Sequence, residues 1–345
     1  MRRSPGPYSA DVIVAPHGLS ADRVGSAVRA DWGVDVTFVE HLEIGDGGWH
    51  WRLGDEFGPQ WFASAHPVRS ADERQGRLAS YDAATRLAAV LPFVVAPVRT
   101  RDARLALDVA PGLLLTLMPL LEVFPPGPAD DDSRVLVARL LGELHRSQRP
   151  RGLPLWRPRI GHGPHDGREA LEGCLRSRGW AGGPWSGPAE RLLVDAAPVV
   201  ERALRRFLLL GAAVAGNAER WVVTHGSPHG GRTVSTPDGP RLVGWGRACL
   251  APRERDLGET LAEAEGDDPW YAYVEAGGRP ERLSKDTMEL FALQRHLDEI
   301  AAQAAHFSHP HGDTADDRRR FGALERELDA LVSTGAERPP QRWLP

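Results

Sequence analysis

Apolar and polar positions alternate over residues 35–65, the period of half-buried strands. Val36, Thr37, Phe38 and Val39 open the pattern. It breaks at the glycine-rich Gly45-Asp46-Gly47-Gly48, resumes at Trp49-His50-Trp51-Arg52-Leu53, turns over residues 54–58 and continues at Gln60-Trp61-Phe62-Ala63. This predicts an antiparallel meander joined by hairpin turns. Leu78, Ala83, Leu87 and Val90 then recur at helical spacing, predicting a helix over 71–91 that Pro92 stops. Apolar runs at 105–109 and 113–118, on either side of Ala110-Pro111-Gly112, predict one more hairpin. After the stiff break Pro125-Pro126-Gly127-Pro128 the period changes to that of helices. Asp130-Asp131-Asp132-Ser133 offers caps for a helix over 135–145, with Leu136, Leu140, Leu141 and Leu144 inside. Further helices are predicted at 168–176, 188–210, 255–265, 285–305 and 317–331. Two short strands, 221–224 and 241–243, are read as joined through Ser235-Thr236-Pro237-Asp238-Gly239. Trp49, Trp51 and Trp61 suggest one aromatic face on the meander, explained mostly by core packing and otherwise by a stacking surface for a planar ligand.

Composition narrows the function classes. The 345 residues are 41% hydrophobic and 26% charged, ordinary globular values, and the net charge of −5 leaves no excess of cations for nucleic acid or anionic lipid. Two cysteines, Cys174 and Cys249, build neither a disulfide framework nor a structural zinc site. The first ten residues carry basic groups with no apolar core behind them, and the longest apolar runs fall short of a bilayer span. The expectation is a cytoplasmic protein with no membrane and no nucleic-acid partner. Lys285 is the single lysine, so a phosphate-gripping ammonium anywhere else is excluded.

The richest chemistry lies in Trp221-Val-Val-Thr-His-Gly-Ser-Pro-His-Gly-Gly-Arg-Thr-Val-Ser, followed by Arg241-Leu-Val-Gly-Trp-Gly-Arg-Ala and Glu254-Arg-Asp-Leu257. This stretch resembles the aminoglycoside phosphotransferase and choline kinase family, whose catalytic loop reads His-Gly-Asp-x-x-x-x-Asn and whose metal loop reads Ile-Asp-x-Gly-Arg ahead of an Asp-Leu pair. The linker Met118-Pro119-Leu120-Leu121 and the Leu141-Gly-Glu-Leu-His145 helix extend the resemblance over most of the chain. It implies an α+β, bilobal, protein-kinase-like fold. Residues 1–122 form a small antiparallel-sheet lobe with the hinge, and residues 123–345 a larger, mainly helical lobe with the catalytic and metal loops.

The resemblance also implies where catalysis fails. Ser227 stands at the position of the loop aspartate that accepts the substrate proton, Arg232 at the asparagine and Gly244 at the metal-loop aspartate. Ser64 lies nearest the place of the phosphate-pairing lysine. No catalytic set is intact, and no metal site or cofactor is expected. His225, Gly226, Gly246, Arg247 and Asp256 persist as scaffold. The function implied is that of a pseudokinase, keeping a cleft for a small molecule, peptide or partner protein without ordinary magnesium-ATP transfer.

Two rivals stay open. One is an active phosphotransferase on a small-molecule or peptide hydroxyl, with ATP and magnesium and with Glu43, Asp238 or Asp256 as metal ligand or base. The other is a tailoring enzyme of natural-product biosynthesis running non-kinase chemistry through Ser227, His225 and Arg232. Arg232 either binds an anion or pairs with an acid such as Asp256, and His225 and His229 are alternative catalytic participants or loop organisers. Trp180, Trp185 and Asp256 are further ligand-binding candidates. Gly45, Gly47 and Gly48 read as a phosphate-covering loop or a tight turn, and Met118 and Leu120 as cofactor contacts at the linker. His306, His309 and His311 read as an interhelical loop before a metal set.

Overall fold

The computed structural model describes residues 18–44, 48–68, 70–124, 131–161, 167–229, 231–262, 264 and 266–334. Two compact units emerge, each assembled from separated stretches of chain. The first unit holds residues up to Pro154, Val222–Leu250 and Glu263–Arg279; the second holds Leu155–Trp221, Ala251–Ala262 and the remainder from Pro280.

The first unit is built on a five-stranded antiparallel sheet of β1 (Phe38–Leu42), β2 (Trp49–Asp55), β3 (Gly58–Pro67), β4 (Leu107–Ala110) and β5 (Leu113–Pro119), ordered β1-β2-β3-β5-β4. The predicted meander and the further hairpin at 110–112 are both present. Alternation divides the strands into two faces. Trp51, Leu53, Ala63, Ala65, Leu115 and Leu117 form one, closed by Leu19, Val24, Val28, Trp32 and Val36, with Trp49 and Trp61 packed against them. The aromatic stripe is therefore core. Much of its cover comes from α1 (Ala21–Ala27), capped by Ser20 and extended by one π turn over Val28–Trp32, an element the apolar pattern did not reveal. On the opposite, inner face the register sets His50 beside Ser64, Ser64 beside Thr116, and Phe62 beside Met118. At the β4–β5 end of that face Leu114 packs with Val68, Leu105, Ala106 and Tyr81, the last from α2 (Ala71–Ala88). Ser70 accepts from the Glu73 backbone N–H at 3.1 Å, starting α2 with a capping interaction.

The same unit contains the segment 222–250. β6 (Val222–Thr224) leads into the loop, and β7 (Thr233–Thr236) and β8 (Gly239–Leu242) make a hairpin. The stretch read as a joining segment is thus partly strand: Ser235 and Thr236 belong to β7, whose polar Thr-Val-Ser-Thr sequence hides it. Bonds from Leu242 N–H to Phe93 O (2.7 Å) and from Val95 N–H to Leu242 O (3.1 Å) tie the hairpin to the chain after α2. β9 (Cys249–Ala251) pairs with β6. α3 (Asp131–Arg146) packs on α8 (Asp268–Glu275), where His145 Nδ1 and the Tyr273 hydroxyl lie 3.1 Å apart.

The second unit is helical: α4 (Gly167–Arg176), α5 (Ser186–Asp195), α6 (Ala197–Ala215), α7 (Glu254–Ala262), α9 (Lys285–Phe307) and α10 (Ala315–Thr334). α9 is its axis, touching each of the others and burying Leu290, Leu297, Ile300, Ala304 and Phe307. The single helix expected over 188–210 is two. Pro198, in the first turn of α6, has no N–H to continue α5 and its ring opposes the preceding turn, so the chain breaks at Ala196. Among the described residues no helix is long and apolar enough to cross a membrane.

Candidate functional site

β6 ends at Thr224, whose hydroxyl donates to Cys249 O at 2.9 Å, and delivers His225 fully buried at the head of the loop. His225 Nε2–H donates to Val243 O at 2.9 Å, and its ring stands edge-on to Trp245 at 4.8 Å. A carbonyl only accepts, so this contact fixes the proton on Nε2 in the neutral ring. Gly226, at φ +92°, turns the chain out of the strand. The Thr233 hydroxyl then closes the loop on Pro228 O at 2.8 Å. Val243 N–H donates to Arg232 O at 2.8 Å, which places the end of the catalytic-type loop against the start of the metal-type loop. His225 joins these two loops through its bond to Val243, and Ser227 and His229 are half-buried within the first of them.

Arg232 and Gly244 meet directly. A Cβ on Gly244 would lie 3.3 Å from Arg232 Cδ, and Gly244 holds φ +83°, a conformation that side chains with a Cβ resist. The arginine stem therefore packs tightly against the place where a metal-loop carboxylate would start. Neither residue supplies the hard oxygen that magnesium takes from protein side chains, and one brings a permanent positive charge. The residues at these two positions do not fit a magnesium site. Next along the loop, Gly246 lies against α2: a Cβ there would sit 2.9 Å from Arg77 Nη1 and 3.3 Å from the Tyr81 hydroxyl. The Ser80 hydroxyl donates to Ala248 O at 2.7 Å, so α2 is fastened to the segment 246–248.

Arg232 also acts on the inner face of the sheet. His50 is 5% exposed, its Nδ1 2.9 Å from Ser64 Oγ, its ring stacked on Phe62 at 5.3 Å and 6.0 Å from His66. Burial first, then the charges of His41 and Arg232, push the His50 pKa down to about 4, so the ring is neutral at physiological pH. Where the family resemblance implies a lysine, this chain presents an uncharged Ser–His pair. The sequence drew attention to Ser64 and passed over His50. Counting the β2–β3 register outward from the turn would have found it.

Of the nucleotide-contact candidates, Gly45 and Gly47 lie outside the described residues. Gly48 is packed hard: a Cβ there would come 2.6 Å from His66 Nδ1 and 2.8 Å from Ala65 O, so close strand approach accounts for this glycine. Met118 pairs with Phe62, and the Leu120 N–H is already given to Gln60 O at 2.9 Å, which ties the linker back to β3.

The remaining candidates are held by their own surroundings. Trp180 donates its indole N–H to Ser177 Oγ at 2.7 Å, and Trp185 donates to Asp313 at 3.1 Å with its ring 4.8 Å from Phe321. Asp256 is fully buried in the first turn of α7. Asp238 is an exposed turn residue, and Glu43 is exposed beside the break after β1. His306 bonds Asp317 at 2.8 Å, His309 bonds Ala305 O at 2.8 Å, and His311 contacts the Trp185 N–H at 3.2 Å. These histidines tie loops together, and among the described residues no group of three His, Cys, Asp or Glu converges as a metal set.

Comparisons with known proteins show the fold. No protein-family model matches the chain. The curated Protein StrN of Streptomyces griseus is 26% identical over 311 residues, covering 84% of this chain and 86% of that protein. A spectinomycin phosphotransferase solved with ADP and spectinomycin is similar with a TM-score of 0.67 at 12% identity, over 93% of this chain and all of that one. The choline kinase LicA from Streptococcus pneumoniae gives 0.52 at 12% identity, over 90% and 98%. The fold is the protein-kinase-like one of aminoglycoside phosphotransferases and choline kinase, with an antiparallel sheet N-terminally and helices beyond it.

Proposed function

We propose that this chain is a pseudokinase: it keeps a ligand-binding cleft on the kinase-like scaffold and does not run ordinary magnesium-ATP phosphoryl transfer. The observation that carries this reading is the Arg232 stem packed against Gly244. Phosphoryl transfer rests almost wholly on positioning and on neutralising phosphate charge through bound magnesium. A guanidinium beside a glycine repels a dication and offers it no side-chain oxygen. Loss of a proton acceptor at Ser227 compounds this, since a general base alone contributes about 10²–10⁴-fold. The bracket made by His225, Thr233 and Ser80 supports retention of a shaped site, because those bonds hold the loops whether or not a reaction follows. The ligand is a small molecule, a peptide or a segment of a partner protein.

Restoring Ser227→Asp, Arg232→Asn and Gly244→Asp together tests the assignment. Arg232 and Gly244 must change together, because an aspartate at 244 meets the arginine stem. The triple variant is expected to bind ATP at least about tenfold tighter with magnesium than with chelator, a gain of about 1.4 kcal/mol. The unaltered protein is expected to release and transfer no γ-phosphate. Magnesium-dependent ATP or GTP turnover by the unaltered protein overturns the pseudokinase reading in favour of an active phosphotransferase. Product formed without nucleotide overturns it in favour of a tailoring enzyme. Failure of the triple variant to gain magnesium dependence overturns the assignment of the three positions.

A further inference from the structure

Within the helical unit, the histidine-rich turn between α9 and α10 meets the loop that carries Trp185, and one contact between them depends on a single proton. His311 Nδ1 lies 2.8 Å from His309 O, and His311 Nε2 lies 3.2 Å from the Trp185 backbone nitrogen. A carbonyl only accepts and a backbone N–H only donates, so Nδ1 carries the ring proton and Nε2 is a bare acceptor. Both bonds exist together only in the neutral ring. Packing leaves little slack: a Cβ on Gly183 would sit 2.8 Å from His311 Nε2 and closer still to His311 O. The His311 N–H donates to Gly182 O at 3.0 Å and the Trp185 indole donates to Asp313 at 3.1 Å, so residues 182–185 are strapped to residues 309–313.

We propose that His311 is a proton-operated latch: while neutral it holds the 182–185 loop on the turn between α9 and α10, and it releases that loop when the ring takes a second proton. An imidazolium donates from both nitrogens, so its Nε2–H would face the Trp185 N–H, donor against donor. Trp185 is also the N-cap of α5, where the peptide dipoles present their positive ends and a cation is disfavoured. The released state binds one more proton, so acid favours release. The carboxylates nearby are committed elsewhere. Asp317 of α10 accepts from His306 at 2.8 Å and from the Thr314 N–H and hydroxyl, and Asp313 is paired with Arg318 at 2.8 Å. From α9, the His306 ring stands 5.6 Å from that of His311, and its Nε2–H keeps the Asp317 bond in either charge state. His309 is turned to Ala305 O at 2.8 Å, and Arg320 of α10 is paired with Asp316 at 3.0 Å.

Hydrogen–deuterium exchange of peptides spanning residues 182–188 reads the latch, at pH 7.5 and at pH 5.5, with labelling times scaled for the intrinsic pH dependence of amide exchange. In the unaltered protein the protection of this segment is expected to fall about threefold or more on acidification, one proton setting a ceiling of about tenfold over this range. His311→Gln keeps an acceptor for the Trp185 N–H and has nothing to titrate, so its protection should stay within about twofold between the two pH values. His311→Ala removes the acceptor and should leave the segment weakly protected at both. Unchanged protection in the unaltered protein, an equal fall in His311→Gln, or undiminished protection in His311→Ala at pH 7.5 overturns the latch.

Discussion

Trp51→Ala is expected to destabilise the sheet unit by about 3–5 kcal/mol, the usual cost of emptying a large aromatic site in a core. Trp51 is completely buried between His41 on β1 and Ala63 on β3, inside the cluster that α1 closes. The cavity has little means of collapse, because its cluster is closed by sheet residues on one side and by Val24 of α1 and Val28 of the following π turn on the other. Trp51→Phe should cost much less. It keeps an aromatic ring and deletes an indole N–H that is buried without a hydrogen-bond partner among the described residues. Urea unfolding followed by far-ultraviolet circular dichroism measures both, since eleven tryptophans make fluorescence hard to assign. Equal losses for the two variants, or an Ala loss below about 1 kcal/mol, would contradict the placement of the core on this face.

Acidification should expose the second large effect. With a folded pKa of about 4 against an ordinary value of 6.5, His50 stays neutral in the folded protein while the unfolded chain takes up a proton. The unfolded state then binds more protons, so stability rises with pH through this window. The contribution is intact above pH 6.5, declines as the pH falls toward 4, and amounts to about 3 kcal/mol at full loss, with about 2 kcal/mol gone by pH 5. His50→Gln has nothing to titrate there. The unfolding free energy between pH 7.5 and 5 should therefore fall more steeply in the unaltered protein than in the variant, by about that 2 kcal/mol. Parallel curves would mean that His50 is solvated and carries its ordinary charge.

Much of the fold was legible because its signals are local. Alternation marked β2 and β3, the helical spacing of Leu78, Ala83 and Leu87 marked α2, and Ala110-Pro111-Gly112 marked the β4–β5 turn. What stayed hidden depends on partners distant in sequence. β7 is a polar Thr-Val-Ser-Thr run that becomes a strand only by pairing with β8. α1 is too short for a period to register and is defined by the apolar face it covers. α5 and α6 merged because their apolar positions continue in phase across Ala196, and only Pro198 marks the break. The candidate site divides in the same way. Ser227, Arg232 and Gly244 could be placed by motif spacing, whereas the packing of Arg232 on Gly244 and the convergence of His50 with Ser64 are tertiary facts. Trp180 and Trp185 looked available because their loop is rich in glycine and proline, yet both indoles already donate within their own unit.

Arg232 and Gly244 together are expected to leave no seat for a hard dication. Calorimetric titration of the unaltered protein with ATP, once with magnesium and once with chelator, tests this directly. The expected result is that magnesium changes the ATP dissociation constant by less than about twofold, whether ATP binds measurably or not. Tightening of about tenfold or more by magnesium, lost in Gly244→Ala or Arg232→Ala, would place the metal at this loop and contradict the account.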